Sequence, residues 1–360
     1  MNYKGRRIME KEKEKIIRKI LVTGGGTGGH AVPLMAVIDE LKKNNADILY
    51  VGSGTEIERK LASEHKVKYK AILSGKYRRY FDWQNFIDFF KIIIGFIQSF
   101  FIILFFWPER VFSKGGYVGL PIVWAAWLLG RPIYIHETDS ILGLANRLSL
   151  NKCKKVFVSW PVKYYHNLPV DKVIYTGNPI RSAEKKVIAC DKKPMILVTG
   201  GSQGARFINQ TVAAILKQLT EKYQVVHICG KLDYEWLSKN NWPNYKLFDY
   251  TDKFLIYLSQ ARLVISRSGG TIFELAAYKK PAIIIPLPSA ANNHQEANAR
   301  ILEKENAAIV LREKGLTSES LLEIIHRVME DKDMQYDLSE RIGQFANPDA
   351  VKTIVKNILV

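Results

Sequence analysis

The chain has 360 residues, 47% of them hydrophobic, and a formal net charge of +18 at pH 7. Its length predicts two domains of roughly 150 to 200 residues, its apolar fraction excludes global disorder, and its charge predicts an anionic partner. The three cysteines, Cys153, Cys190 and Cys229, lack metal-type spacing, which argues against a disulfide framework and a zinc site.

The basic N-terminal segment, Met1–Lys19, has eight Lys or Arg residues against three Glu and no continuous apolar run. It does not match a signal peptide, and we expect a solvated tail before the first strand. That strand, Ile16–Val22, leads into the glycine-rich segment Thr23–His30. The glycines satisfy the dinucleotide pattern G-x-G-x-x-G, but the next strand, Ile48–Val51, has no acidic residue at its end to hold a ribose. The segment therefore predicts a phosphate-binding turn before a helix that begins near Pro33.

A long apolar segment lies between residues 75 and 108, without a charge from Ile92 to Trp107. It is slightly short for a membrane span. One helical face collects its polar or small residues, which are Asp88, Lys91, Gly95, Gln98 and Ser99. Because basic and aromatic residues precede it, Tyr77–Trp107 predicts an amphipathic helix that lies in an anionic membrane interface. A buried core helix is the alternative.

Two polar segments follow predicted strands in the first half. Ser113–Val118 is glycine-rich and follows an apolar run, and the strand Pro132–Ile135 ends in His136–Asp139. Parallel α/β proteins place their chemistry at the carboxyl ends of strands, so both segments are candidates for a site. A helix cap by Thr138 or Asp139 is the alternative interpretation.

The strand–helix pattern restarts in the second half. After a polar connector, the strand Met195–Thr199 enters a third glycine-rich turn, Gly200–Arg206, and alternation continues to helices from Ser318 onward. This pattern predicts an α/β fold of two Rossmann-like, doubly wound parallel-sheet domains that face each other across a cleft. The expected division is an N-terminal domain at 16–181, a C-terminal domain at 182–345, and a C-terminal helix at 346–360 that packs back on the first domain.

The most informative turn, Ser266–Leu275, lies between the apolar run Leu263–Ile265 and a helical pattern. Glycines allow close approach of a phosphate, and a helix start presents N–H groups to it. The carboxylate of Glu274 can bridge two vicinal ribose hydroxyls. Together these features predict a nucleotide-diphosphate site, with an ordinary strand-to-helix turn as the alternative.

Six motifs in the same order resemble the MurG family of bacterial N-acetylglucosaminyltransferases, over about Lys19–Arg300. They are Gly24–His30, Ser113–Val118, His136–Arg147, Gly177–Arg181, Gly200–Ala205 and Ser266–Ala299. The resemblance implies the GT-B fold and an inverting transfer of GlcNAc from UDP-GlcNAc to the C4 hydroxyl of MurNAc in undecaprenyl-diphosphate-MurNAc-pentapeptide. This step converts lipid I to lipid II in peptidoglycan synthesis. The resemblance also implies a peripheral enzyme on the cytoplasmic face of the bacterial plasma membrane.

The resemblance further implies a set of donor-binding residues, which are Thr27, Gly28, Asp139, Arg181, Ser202, Gln203, Gly204, Thr251, Gly269, Gly270, Thr271, Glu274 and Gln295. Among them, Glu274 would hold the ribose, and Ser202 with the Gly269–Thr271 backbone would hold the diphosphate. Gln295 and Asp139 would contact the sugar hydroxyls. Asp139 stands where many family members have Asn, and a carboxylate accepts hydrogen bonds from hydroxyls but cannot donate them.

The implied acceptor-binding residues are Gly25, Gly26, His30, Lys114, Gly115, Gly116 and Tyr117. His30 is the first candidate for the general base because an imidazole accepts a proton near neutral pH. Asp139 and Glu137 are its rivals.

No cofactor or metal is expected. The D-x-D sequence Asp331–Asp333 lies in a polar helical region rather than after a strand, so we expect positive groups instead of a metal to stabilise the leaving diphosphate. The alternatives are another GT-B UDP-sugar transferase acting on a glycolipid, a UDP-GlcNAc 2-epimerase and a nucleic-acid-binding module. The last would explain the charge but not the glycine-rich turns, so no nucleic-acid partner is expected.

Overall fold

The structure, a computed structural model, describes residues 18–25, 28–75, 83–165, 168–180, 193–201, 204–239 and 241–360. The side chains at 28, 30, 83–87 and 89 lie outside this description. Strands and helices alternate along the described chain, as the apolar runs and glycine-rich turns predict.

Two parallel sheets are formed by the described residues. The first has the strand order β3-β2-β1-β4-β5-β6-β7, from β1 (Lys19–Thr23), β2 (Asp47–Gly52), β3 (Lys68–Ala71), β4 (Arg110–Ser113), β5 (Ile133–Glu137), β6 (Lys155–Val158) and β7 (Val173–Tyr175). The second has the order β10-β9-β8-β11-β12-β13, from β8 (Met195–Thr199), β9 (Gln224–Ile228), β10 (Tyr245–Phe248), β11 (Leu263–Ser266), β12 (Ala282–Ile284) and β13 (Ile309–Val310). In register, Leu21 lies opposite Leu49 and Val111, and Val264 lies opposite Leu197. The central strands are mostly apolar and buried because helices cover both faces of each sheet.

Helices connect the strands in both halves. In the first half they are α1 (Gly28–Lys43), α2 (Glu56–Glu64), α3 (Trp83–Phe106), α4 (Gly119–Leu128) and α5 (Leu144–Ser149). In the second half they are α6 (Arg206–Ala213), α7 (Leu216–Lys222), α8 (Lys231–Leu237), α9 (Phe254–Gln260), α10 (Thr271–Ala277), α11 (His294–Lys304), α12 (Ser318–Glu330), α13 (Lys332–Gly343) and α14 (Ala350–Leu359).

Sequence prediction of the elements was wrong in two respects. The first helix begins at Gly28, so Pro33 lies inside it, where the helix lacks one backbone N–H donor. Three strands were not predicted, and β3, β10 and β13 are all edge strands. Edge strands are short and partly exposed, so they lack the continuous apolar run that marks a central strand.

The C-terminal helix α14 packs against the first domain. Its Ile354 and Ile358 are buried in the same cluster as Leu34 and Ile38 of α1. The guanidinium of Arg110 donates hydrogen bonds to the carbonyl of Ile358 at 2.6 Å and to that of Val360 at 3.0 Å. The end of the chain therefore crosses back over the first sheet.

Helix α3 turns its polar, small-residue face toward the protein. The backbone N–H of Leu73 donates to Gln98 Oε1 at 2.7 Å, and a Cβ at Gly95 would lie 2.0 Å from the Leu73 carbonyl oxygen. The exposed face is apolar and carries Phe90, Ile93, Ile94, Ile97, Phe101, Leu104 and Phe105. The helices in the described ranges include none with the length and apolarity of a membrane span.

Candidate active site

The first glycine-rich turn rests on a buried carboxylate. Glu58 is fully buried, and its carboxylate accepts hydrogen bonds from the N–H groups of Ser53, Gly54 and Thr55 and from the hydroxyls of Ser53 and Tyr69, at 2.8 to 3.3 Å. A Cβ at Gly25 would lie 2.0 Å from Glu58 Oε1. Any side chain at position 25 would clash with the Glu58 carboxylate, so this position requires glycine.

The second glycine-rich turn meets the first through Lys114. A Cβ at Gly24 would lie 2.7 Å from the Cβ of Lys114, and the backbone N–H of Lys114 donates to the Thr23 carbonyl at 2.8 Å. Gly115 and Gly116 then have φ values of +84° and +83°, which favour glycine. The Lys114 side chain is fully buried and donates a hydrogen bond to Thr138 Oγ1, so it points into the protein.

Glu137 lies at the end of β5, where its carboxylate organises the loop that follows. It accepts hydrogen bonds from the N–H groups of Asp139 at 3.0 Å and Gly143 at 2.9 Å, and from Asn146 Nδ2 at 2.9 Å. Burial, with the charge of Asp139 as a smaller cause, raises the pKa of Glu137. Through these bonds Glu137 stabilises the loop after β5, and it is also one of the predicted candidates for the general base.

Asn298 of α11 joins the two domains beside Asp139. Its Nδ2 donates to Asp139 Oδ1 and to the carbonyl of Ser268, both at 2.9 Å. Its Oδ1 accepts from the N–H of Ser140 at 2.9 Å and from the Ser140 hydroxyl at 2.8 Å. Asn298 is only 1% exposed, so these bonds form in a largely dry boundary.

The Gly269–Thr271 turn, which is predicted to bind the donor diphosphate, follows the end of β11. It lies on the second-domain side of the boundary. Gly269 and Gly270 precede α10, whose first turn carries the predicted ribose ligand Glu274. A Cβ at Gly270 would lie 3.6 Å from Thr138 Cγ2, which brings this turn against the end of β5. Behind it, Arg267 is buried and donates to the carbonyl of Ile285 at 3.0 Å.

Three other predicted donor residues, Gln295, Thr251 and Gly204, have described contacts. Gln295 accepts a hydrogen bond at Oε1 from the N–H of Leu287 at 3.0 Å, and its carbonyl accepts from the Ser268 hydroxyl at 2.7 Å. Thr251 lines a cavity of about 410 Å³ to which Lys60 of the first domain also contributes. Gly204 has a φ of +75° and abuts the carbonyl of Cys229.

Several predicted residues lie outside the described residues or side chains. Gly26, Thr27, Arg181, Ser202 and Gln203 are outside the described residues. Gly28 and His30 belong to the first turn of α1, and the side chain of His30 is not among those described. The structure thus brings together Gly25, Lys114, Glu137, Asp139 and the Gly269–Glu274 turn.

Sequence reasoning missed three residues of this site. Glu58 is a polar residue within a helical pattern, and nothing in its spacing distinguishes it from a solvent-facing residue. Asn298 lies in the quoted Ser266–Ala299 motif, which was the available signal for it. Asn146 is part of the quoted His136–Arg147 motif, which was the available signal for it. Burial with several hydrogen bonds, visible only in the fold, identifies all three.

No group of three or more His, Cys, Asp or Glu residues in the described parts of the chain could hold a metal ion. In the D-x-D sequence, Asp331 accepts a hydrogen bond from the N–H of Met334 at 2.8 Å and so caps α13.

Comparison with known proteins identifies the family. Residues 20–158 match the glycosyltransferase family 28 N-terminal domain, and residues 195–354 match the family's C-terminal domain. The chain is 41% identical over 325 residues to the Clostridium kluyveri UDP-N-acetylglucosamine–N-acetylmuramyl-(pentapeptide) pyrophosphoryl-undecaprenol N-acetylglucosamine transferase, covering 87% of this chain and 91% of the relative. The chain belongs to glycosyltransferase family 28, as a member of the MurG family. A relative of the same name from Geobacillus kaustophilus is 41% identical over 340 residues, or 91% and 94% of the two chains.

Solved structures confirm the predicted GT-B fold of this family 28 member. Acinetobacter baumannii MurG matches with a TM-score of 0.74 and 25% identity over 95% of this chain and 99% of that one. The UDP-GlcNAc 2-epimerase from Neisseria meningitidis matches with a TM-score of 0.69 but 16% identity, over 95% and 99%. The epimerase likeness concerns the fold alone, whereas the MurG relatives confirm the family that the six motifs predicted.

Proposed function

We propose that this chain transfers N-acetylglucosamine from UDP-GlcNAc to the MurNAc unit of undecaprenyl-diphosphate-MurNAc-pentapeptide. The observation that carries the proposal is 41% identity, over 87% of the chain, to a transferase named for these substrates. The epimerase alternative is not favoured, because its resemblance to this chain is limited to a fold that many activities share.

The proposal assigns one substrate to each side of the cleft. The Gly269–Thr271 turn and Glu274 lie on the second domain and would hold the diphosphate and ribose of the donor. The turns at Gly25 and at Gly115–Gly116 lie on the first domain and would hold the diphosphate of the acceptor. Asn298 links the two sides through Asp139, which supports a single reaction centre at this boundary.

In the proposed reaction the C4 hydroxyl oxygen of MurNAc attacks C1 of GlcNAc while the bond from C1 to UDP breaks. The hydroxyl proton passes to a general base, and His30, on the first turn of α1, remains the first candidate. Asp139 remains the second candidate, since it is less buried than Glu137, whose carboxylate already accepts hydrogen bonds from the N–H groups of Asp139 and Gly143 and from Asn146 Nδ2. We also propose that positive groups, without a metal, stabilise the UDP that leaves.

The test is transfer of label from UDP-GlcNAc to the lipid-linked acceptor, with UDP-glucose and UDP-GalNAc in parallel and with EDTA. We expect EDTA-resistant transfer from UDP-GlcNAc alone. Hydrolysis or epimerisation of UDP-GlcNAc without transfer would instead support the epimerase or another UDP-sugar enzyme. Transfer that EDTA abolishes would refute the metal-free mechanism but not the substrates.

We further propose that the exposed face of α3, together with Trp124 and Trp127 of α4, docks on the cytoplasmic face of the bacterial plasma membrane. Both tryptophans are exposed, and Lys152 Nζ lies 4.6 Å and 4.9 Å from their ring centres. Aromatic and basic residues beside an apolar helical face are the features of an interfacial helix. An anionic lipid surface is the partner that this combination fits.

Sedimentation with vesicles of phosphatidylglycerol and phosphatidylcholine tests this docking. The double substitution Phe101→Glu and Phe105→Glu should weaken binding by about tenfold or more, since each Phe contributes roughly 2 kcal/mol when buried. Leu232→Glu is the matched control, because Leu232 is 84% exposed on the other domain. Equal effects of the two changes would contradict the proposal.

A further inference from the structure

Trp160 follows β6 on the first domain, and its side chain is fully buried. Its ring contacts two rings of the second domain. The ring centroids of Trp160 and Phe273, in α10, are 5.1 Å apart, and those of Trp160 and Phe345, which follows α13, are 5.0 Å apart, both in edge-to-face geometry. Edge-to-face pairs at such distances are attractive beyond the area they bury. Trp160 therefore joins the two domains through a packed aromatic contact.

The backbone beside Trp160 is fixed to the end of β5. The N–H and the hydroxyl of Ser159 both donate to the carbonyl oxygen of Glu137, at 3.0 Å and 2.9 Å. The same strand end leads into Asp139, so it carries two of the candidates for the general base. The Trp160 ring is thus attached to the part of the first domain that faces the reaction centre.

The partner ring belongs to the helix that carries the predicted donor ligands. Phe273 immediately precedes Glu274, the predicted ribose ligand, and its N–H donates to the Gly270 carbonyl at 3.1 Å, within the turn predicted to bind the diphosphate. Helix α10 has only seven residues, so a displacement of Phe273 would displace both predicted ligands. The ring contact therefore relates the position of these ligands to the end of β5.

A second contact from the same segment reaches α11. The Tyr164 hydroxyl donates to the carboxylate of Glu305, just after the end of α11, and Lys163 Nζ lies 3.2 Å from the same carboxylate. Helix α11 carries the predicted sugar ligand Gln295 in its first turn. The ion pair to Lys163 is exposed and contributes little by itself, so the buried ring contact of Trp160 is the principal one.

We propose that Trp160 is a positioning residue for the donor: its ring, packed on Phe273, holds α10 and so Glu274 at a fixed place relative to the end of β5. The inference deepens the proposed transfer, on which its kinetic test rests, whereas its exchange test is independent of that activity. Trp160 acts through Phe273 and not by contact with the donor.

The kinetic test uses Trp160→Leu and Phe273→Leu, each of which removes one ring of the contact. Either change should raise KM for UDP-GlcNAc by about five- to tenfold, as expected for loss of an aromatic pair, and leave KM for the lipid-linked acceptor within about twofold. The double variant should raise KM for UDP-GlcNAc no more than the larger single change, because both remove the same contact. An unchanged KM in both single variants would overturn the proposal.

Phe157→Leu is the matched control for a merely structural effect. Phe157 is also fully buried, but its ring stacks on Tyr134 in a separate cluster within the first domain, with ring centroids 6.1 Å apart. Its replacement should lower Tm by an amount comparable with Trp160→Leu, yet leave KM for UDP-GlcNAc within about twofold. An equal rise in KM for Phe157→Leu would show that KM follows stability alone and would overturn the proposal.

Hydrogen–deuterium exchange of the ligand-free proteins tests the contact without transfer. In Trp160→Leu the amides of residues 273–278 should exchange about tenfold faster, because α10 loses its packing on the first domain. Phe157→Leu should leave exchange at these amides within about twofold. Unchanged exchange at 273–278 in Trp160→Leu would overturn the proposal. If no protein transfers GlcNAc but exchange there rises as expected, the result would support the contact and count against the proposed function alone.

Discussion

The two sides of the cleft support their glycine-rich turns in different ways. On the first domain, Gly25 lies directly on the buried carboxylate of Glu58, and Gly24 lies on Lys114. On the second domain, no described atom lies within 4 Å of a Cβ at Gly269. The first turn has its shape fixed by buried, hydrogen-bonded charges before a substrate arrives, whereas the second is spacious. Glycine is thus needed for packing at Gly24 and Gly25, whereas at Gly269 it leaves open space.

The largest effect should come from Glu58→Gln, which tests whether the carboxylate fixes the first turn. A Gln amide would direct N–H groups at donors that now meet a carboxylate, at a cost of about 2–4 kcal/mol. Tm should fall by about 5–10 °C. Glu303→Gln is the control, because Glu303 forms an exposed ion pair with Arg312 that contributes less than about 1 kcal/mol. Similar decreases in Tm for the two variants would contradict the view that the Glu58 carboxylate fixes the first turn.

The next effect compares the glycines themselves. Gly25→Ala should destabilise the protein by about 1–3 kcal/mol, because the new methyl group meets a carboxylate held by its donors. Gly269→Ala should change stability by less than about 0.5 kcal/mol. In a Glu58→Ala background, Gly25→Ala should destabilise the protein less, because the Glu58 carboxylate that the new methyl group would meet is absent. An equal Tm for Gly25→Ala and Gly269→Ala would contradict the proposed difference in packing between the two turns.

The smallest effect concerns the link between the two sides. Asn298→Ala removes the hydrogen bonds that Ser140 and Asp139 make with Asn298 across the boundary, and we expect kcat/KM for transfer to fall by about tenfold. Asn357→Ala is the control, because Asn357 bonds only within α14, to the Thr353 carbonyl, among the contacts described. An unchanged kcat/KM for Asn298→Ala would mean that the domains are positioned by other contacts.

Sequence alone predicted the fold because its signals are local. Central strands such as β8 are continuous apolar runs, and the restart of the pattern at Met195 marks the second sheet. The motif order also predicted the family, which the relatives confirm.

The direction of individual side chains could not be predicted. Lys114 follows a strand in a glycine-rich loop, which suits a surface cation as well as a buried one, and only the neighbouring strand end decides between them. Asn298 acquires its role from a partner domain about 160 residues away in sequence. Such contacts depend on how the two sheets face each other, and the local pattern of apolar and polar residues does not predict that arrangement.

Hydrogen–deuterium exchange with each substrate in turn tests the division of the cleft most directly. UDP-GlcNAc should slow exchange mainly at the amides of residues 269–275, and the lipid-linked acceptor should slow it at residues 24–25 and 115–117. UDP alone should reproduce the donor pattern at 269–275. Strongest protection of the first-domain turns by UDP-GlcNAc, with none at 269–275, would contradict the assignment of donor and acceptor to the two domains.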